Sequence, residues 1–224
     1  MELITINQPN TFARQLRYQS IKRVIDVVLC LSILPLALPI MAICALAVYL
    51  DSSSPVFFVQ ERIGRGGRSF RMYKFRTMAV NFDDSNCRAF MQAFVRGELA
   101  GEEAEQEVFK PVRSSCITRV GRLLRKTSLD ELPQVINVLK GEMSLVGPRP
   151  NVPWEVEVYR QWHHERLEVL PGVTGLAQVR GRSSITFNAI VNYDVEYIQQ
   201  QGLALDLKIL WWTLLTVIDK YGAQ

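Results

Sequence analysis

Two neighbouring carboxylates, Asp130 and Glu131, lie in the run Ser128-Leu129-Asp130-Glu131-Leu132-Pro133, with Arg125 and Lys126 just upstream. Ser128 and Glu131 have the spacing of a capping box, and acids in a first helical turn complement its dipole, so helix capping is the structural reading of this run. Pro133 works against a regular helix running back through Ser128, because it withholds the donor that the Leu129 carbonyl would need. Adjacent side chains on a helix do not face each other, so the two acids would not chelate one ion as a simple pair. They suit separate tasks, one attacking while the other holds a cation or a proton. In Gly147-Pro148-Arg149-Pro150 the flanking prolines stiffen the backbone and pre-orient a guanidinium suited to bidentate phosphate binding. Pro171-Gly172-Val173-Thr174-Gly175, followed by Gln178 and Gly181-Arg182, is a turn-rich stretch whose small residues let backbone donors approach an anion. Neither a Walker loop nor a GxGxxG is present, and His163 and His164 lack a second ligand pair at metal spacing and read as surface residues. Cations gathered round two acids point to phosphate-bearing substrates.

Those residues need a scaffold, and the chain of 224 residues offers one compact unit. A net charge of +4 is too small, without a basic cluster or RNA-binding motif, to indicate nucleic acid. Cys30, Cys44, Cys87 and Cys116 form no CxxC and imply reduced thiols. From Val27 to Leu50 there is no charged residue, and at ~1.5 Å per residue the stretch reaches ~36 Å, enough for the ~30 Å hydrocarbon core of a bilayer. One of the two substrates is therefore expected to be a lipid. Two features favour a re-entrant segment over a spanning one. Pro35 and Pro39 predict a kink or break mid-segment. The flanks also share one sign: Arg14, Arg17, Lys22 and Arg23 precede the segment, and Arg62, Arg65, Arg68, Arg71, Lys74 and Arg76 follow it, which keeps both ends on the cytoplasmic side. Asp26 is expected at the interface, paired or hydrated.

Beyond the membrane segment, Val56–Val59 and Ser69–Met78 with glycines between them predict a β-hairpin. Residues Asn81–Pro111 read as a solvated helix or loop with an acidic run. Helical spacing is expected over Leu123–Leu139, Trp154–Val169 and Phe187–Gln201. The apolar tail Leu203–Ile218, with Trp211 and Trp212, suits an interfacial helix, a core helix, or a contact with a second copy of the chain.

The order of motifs resembles the bacterial sugar transferases, the monotopic phosphoglycosyl transferases that start exopolysaccharide and O-antigen assembly. The match runs from about Ser20 to Leu215 and is carried by Lys22-Arg23-Val24-Ile25-Asp26, Gln60-Glu61-Arg62, Tyr73-Lys74-Phe75-Arg76-Thr77-Met78, Ser128 to Gln134, Asn137-Val138-Leu139-Lys140-Gly141, Gly147 to Pro150 and Pro171 to Gly175. With the readings above it implies an α+β fold: a mainly helical catalytic domain with a short hairpin and a Pro-broken re-entrant helix. The expected divisions are an N-terminal arm (1–19), the re-entrant helix (20–51) and a cytoplasmic-face catalytic domain (52–224). The family's helix breaks at a Ser-Pro; here the pair is Leu38-Pro39, so Pro39, helped by Pro35, would hold the break. The resemblance implies transfer of a sugar-1-phosphate from a UDP-sugar to undecaprenyl phosphate at the bacterial inner membrane, with Mg2+ and release of UMP. Asp130 would be the nucleophile and a candidate Mg2+ ligand, Glu131 would assist the lipid phosphate or the metal, and Lys74, Arg125, Arg149, Gln178 and Arg182 would bind substrate. A homodimer stays among the expected partners beside membrane lipids. A catalytically silent scaffold and a UDP-sugar hydrolase are the competing expectations.

Overall fold

The apolar stretch forms one helix, α1 (Pro9–Ser52). The computed structural model describes residues 9–52, 55–78, 85–98, 116–181 and 185–218. The helix begins upstream of the boundary expected at residue 20, and its part Arg17–Ser52 is long and apolar enough to cross a membrane. The break expected at Pro35 and Pro39 is corrected by the structure, in which both prolines lie inside the helix. Each proline removes one backbone donor, freeing the Leu31 and Pro35 carbonyls, and the helix absorbs two such local losses without ending.

After α1 the chain folds back on itself as the expected hairpin. Strands β1 (Phe57–Ile63) and β2 (Ser69–Phe75) pair antiparallel, with Phe58 opposite Lys74 and Gln60 opposite Met72. Helices α2 (Ser85–Arg96), α3 (Arg119–Thr127) and α4 (Gln134–Lys140) follow. A second small sheet pairs β3 (Ser144–Val146) parallel to β4 (Gly172–Thr174). Between these strands the helix expected over Trp154–Val169 is replaced by a single turn, α5 (Pro153–Val156), and a 3-10 stretch, Gln161–Glu168. The reason is local: the Arg160 N–H donates to Nδ1 of the buried His163 instead of continuing a helical ladder. Helices α6 (Leu176–Gly181), α7 (Phe187–Gln200) and α8 (Leu203–Ile218) complete the chain.

Both ends of α1 are built into the domain. Near its start, Lys22 and the Tyr18 hydroxyl bond Asp206 of α8 at 2.9 and 2.8 Å, and Asp26, fully withdrawn from solvent, accepts from the Ser144 hydroxyl at 2.7 Å. The Arg23 guanidinium donates to the Val138 and Leu139 carbonyls at the end of α4, the first of which also accepts the Gly141 N–H of the cap. Cys30 packs with Met72, Val138 and Met143. Near the other end, Cys44 and Val48 pack with Phe75 and Leu124, and Arg76 donates to the Ser52 carbonyl. At ~1.5 Å per residue the helix between Cys30 and Cys44 spans ~21 Å, short of a ~30 Å hydrocarbon core. Both ends of α1 are thus fastened to the same folded unit. The opposite face of α1 is apolar and open, with Val24, Val28, Leu36, Ile43, Leu46 and Leu50 exposed.

The tail helix α8 is a core helix along one face. Ile209 and Asp206 are buried, whereas Leu207, Trp211, Leu214 and Leu215 face outward.

Candidate functional site

Lys74 sits near the end of β2, and that strand is fixed along its edge by one residue of α4. The fully buried Asn137 donates to the Arg71 carbonyl at 2.6 Å and to Glu142 at 2.7 Å, and accepts from the Tyr73 N–H at 3.1 Å. A side-chain amide thus stands in for a third strand beside Lys74.

The acidic pair arrives from α3. That helix ends at Ser128, the one non-glycine residue with a positive φ (56°) among those described, and its N–H bonds the Arg125 carbonyl. The Ser128 side chain makes no capping bond, so the capping-box expectation is corrected. A left-handed residue turns the chain sharply, and a 3-10 turn over Leu129–Glu131 then presents both acids. Gly121 allows this approach, because a Cβ there would collide with the Thr77 carbonyl.

The two acids have different surroundings. Glu131 Oε1 lies 2.6 Å from Lys74 Nζ and 3.8 Å from Arg149. Burial alone would push the Glu131 carboxyl up, but Lys74, Arg149 and a hydrogen bond from Gln134 hold it below the usual range. Asp130 accepts no hydrogen bond from any described residue. Burial raises its carboxyl, with Glu131 adding to the rise and Lys74, Arg125 and Arg149 opposing it. Burial also lowers the Lys74 ammonium, which Glu131 partly restores. Arg125 is steered toward Asp130 by a 2.9 Å bond from its Nε to the Thr77 hydroxyl. The result is one carboxylate bonded to its cation, one that accepts no hydrogen bond among the described residues, and three cations around them.

Arg149 is exposed between two buried prolines, as the motif predicts. Its loop is held from beneath by backbone bonds from Gly147 to Thr174 and from Gly172 to Pro148, both 2.9 Å, so close that a Cβ on either glycine would strike the other strand. Two further arginines grip the loop. Arg166, paired with Asp194 at 2.7 Å, donates to the Arg149 carbonyl at 3.0 Å and to Asn151 at 2.7 Å. Arg62 donates to the Pro150 carbonyl at 3.0 Å, and burial beside Arg149 brings its guanidinium down to about 10. Lys74, Glu131, Gln134, Arg149 and Val173 line one cleft.

Of the residues expected to bind substrate, Lys74, Arg125 and Arg149 converge on the acids. Gln178 instead donates to the Val173 carbonyl at 3.2 Å and supports the cleft wall. Arg182 lies outside the described residues, as does most of the acidic run. His163 is a correction to the surface reading: it is fully buried among Tyr159, Trp162 and Phe187, with Nε2 3.1 Å from Asn188 Oδ1, while His164 is exposed. Composition and spacing assign no role to Gln134, Asn137 or Arg166. The signal available for the first two was their place in the quoted motifs. Among the described residues no three His, Cys, Asp or Glu gather as a metal site.

A profile of the family described as bacterial sugar transferase matches residues 17–220. The chain is 37% identical over 222 residues to the UDP-galactose-lipid carrier transferase of Erwinia amylovora, covering 99% of this chain and 45% of that protein. It is 39% identical over 216 residues to the undecaprenyl-phosphate galactose phosphotransferase of Salmonella typhimurium, covering 96% of this chain and 44% of that one. The chain thus spans less than half the length of these two relatives. With the uncharacterized sugar transferase EpsL of Bacillus subtilis it shares 38% identity over 204 residues, covering 91% and 90% of the two chains.

Proposed function

The chain belongs to the bacterial sugar transferase family, and on that premise we propose that it moves a sugar-1-phosphate from a UDP-sugar to undecaprenyl phosphate, releasing UMP. The observation that carries this reading is the unengaged Asp130 carboxylate set among Lys74, Arg125 and Arg149. An Asp oxygen attacks the phosphorus bearing the sugar, the bond from that phosphorus to the bridging oxygen breaks, and its electron pair leaves on UMP. A phosphate oxygen of the lipid then attacks the same phosphorus and the bond to Asp130 breaks. The carboxylate is returned and an undecaprenyl-diphospho-sugar leaves. Such a nucleophile needs no base, but it is an anion approaching a diphosphate. Lys74 and Arg149 at the cleft and Arg125 behind Asp130 answer that repulsion. Glu131, held ionised by its cations, keeps the Lys74 ammonium aimed into the cleft.

The donor set also fits Mg2+, which is held through one or two carboxylates plus substrate phosphates and water. Asp130 would hold the ion, which would supply charge neutralisation at the donor phosphates. The setting proposed is the cytoplasmic face of the bacterial inner membrane, with α1 entering and leaving the same leaflet. The anchoring of both its ends on one domain supports this.

The test is UMP release by the purified full-length protein from a panel of UDP-sugars with Mg2+, with and without undecaprenyl phosphate. UDP-galactose comes first, because two relatives are named for galactose. Lipid-dependent release is expected. Sustained release without lipid would make the protein a hydrolase, and none with any donor would favour the silent scaffold.

A further inference from the structure

Exposed aromatic residues need a reason when they adjoin a charged cleft, and Phe58 is such a residue. It stands directly opposite Lys74 in the hairpin register, and opposed residues of an antiparallel pair share one face with Cβ atoms ~4.5–5.5 Å apart. Lys74 is nearly covered, with 15% of its side chain exposed, whereas Phe58 is 46% exposed. Its neighbour Phe57, on the other face, stacks on Phe75 with ring centroids 5.3 Å apart, and Phe75 belongs to the α1 contact. Phe58 belongs to none of the hydrophobic core clusters.

Taking the transferase reading as its basis, we propose that Phe58 is the contact for the first isoprene units of the polyprenyl phosphate acceptor. One cross-strand pair then reads both parts of the lipid, Lys74 its phosphate and Phe58 the chain attached to it. Two features select this occupant. The cations supply charge complementarity for the phosphate, and an apolar surface lies beside them. The pair also lies close along the chain to the long apolar helix: β1 begins five residues after α1 ends, and Leu46, Tyr49 and Leu50 are exposed in the last turns of α1.

The experiment measures KM for undecaprenyl phosphate and for the UDP-sugar with the full-length protein in bilayer nanodiscs, comparing wild type with F58A, F58L and V59A. Val59 is as exposed as Phe58, at 47%, but alternation places it on the opposite face. F58A should raise the lipid KM about tenfold, the effect of losing much of an aromatic contact. F58L should restore most of it, and V59A should stay within about twofold of wild type. An unchanged lipid KM in F58A would overturn the proposal. So would equal effects of F58A and V59A, which would mean general membrane insertion. A rise confined to the UDP-sugar KM would assign Phe58 to the nucleobase instead. Failure of the underlying reading looks different: the wild type itself would show no lipid-dependent UMP release, and the proposal would fall with it.

Discussion

Two carboxylate–cation pairs of nearly equal length sit on either side of the Arg149 loop, and they behave as different devices. Glu131 and Lys74 are 2.6 Å apart with 24% and 15% of their side chains exposed, whereas Asp194 and Arg166 are 2.7 Å apart with 1% and 2% exposed. Arg166 makes three further bonds, to Asn151, Tyr159 and the Arg149 carbonyl. Its pair is a fixed support, and breaking it would leave an uncompensated charge in the interior. The Glu131–Lys74 pair opens onto the cleft, so an incoming phosphate can share the ammonium without stranding the acid. Distance alone does not distinguish the two pairs; access and the number of committed donors do.

The sharpest way to test this division is to separate loss of turnover from loss of fold. Asp130→Asn should lower kcat by about 10⁴-fold or more while leaving the melting temperature within a degree or so of wild type, since no described residue bonds that carboxylate. Retained turnover would remove Asp130 from the chemistry. On the support side, Arg166→Leu leaves Asp194 without its cation and should destabilise the protein by ~3–5 kcal/mol, read as a melting point lowered by roughly 10 °C. A wild-type melting point would show that the buried pair does not hold the loop. Lys74→Ala is expected to reduce kcat by ~10²–10³-fold, as for removal of one donor at a transition-state charge. If it instead lowered stability as far as Arg166→Leu, the two pairs would be alike after all.

The smallest effect is on pH dependence and belongs to His163, in the buried region. Burial holds its imidazole below the ordinary 6.5, so the unfolded chain takes up a proton before the folded one does. The contribution is complete above pH 6.5 and is lost as pH falls from there through the folded value, by at most ~1.4 kcal/mol per pH unit. Between pH 7.5 and 5.5 the denaturant midpoint of the wild type should fall relative to that of His163→Gln. Parallel slopes would contradict the assignment.

Local pattern carried the hairpin, the long apolar helix, α7 and the residues of the acidic pair, because alternation, periodicity and motif order are properties of neighbouring residues. The partners of those residues were not legible. Glu131 reads as a cap from spacing alone, yet its partner Lys74 is 57 residues away. Likewise His163 looks exposed beside His164, and only the packing of Tyr159, Trp162 and Phe187 encloses it. The prolines of α1 were legible as residues but not as a break, since the cost of a missing donor is settled by the whole helix. Arg62 and Arg166 act on backbone carbonyls of the Arg149 loop, a relation that leaves no pattern in sequence.

The way α1 is seated also bears on how the protein can be handled. Asp26, Cys30, Cys44 and Val48 are interior residues of the same unit as Met72, Phe75, Met143 and Ser144. Deleting the helix to obtain a water-soluble fragment would uncover those side chains and leave the Val138 and Leu139 carbonyls without Arg23. Crystallisation or inhibitor screening is therefore better served by keeping α1 and replacing its outward residues, Leu36, Ile43, Leu46 and Leu50 among them, with polar ones than by truncation.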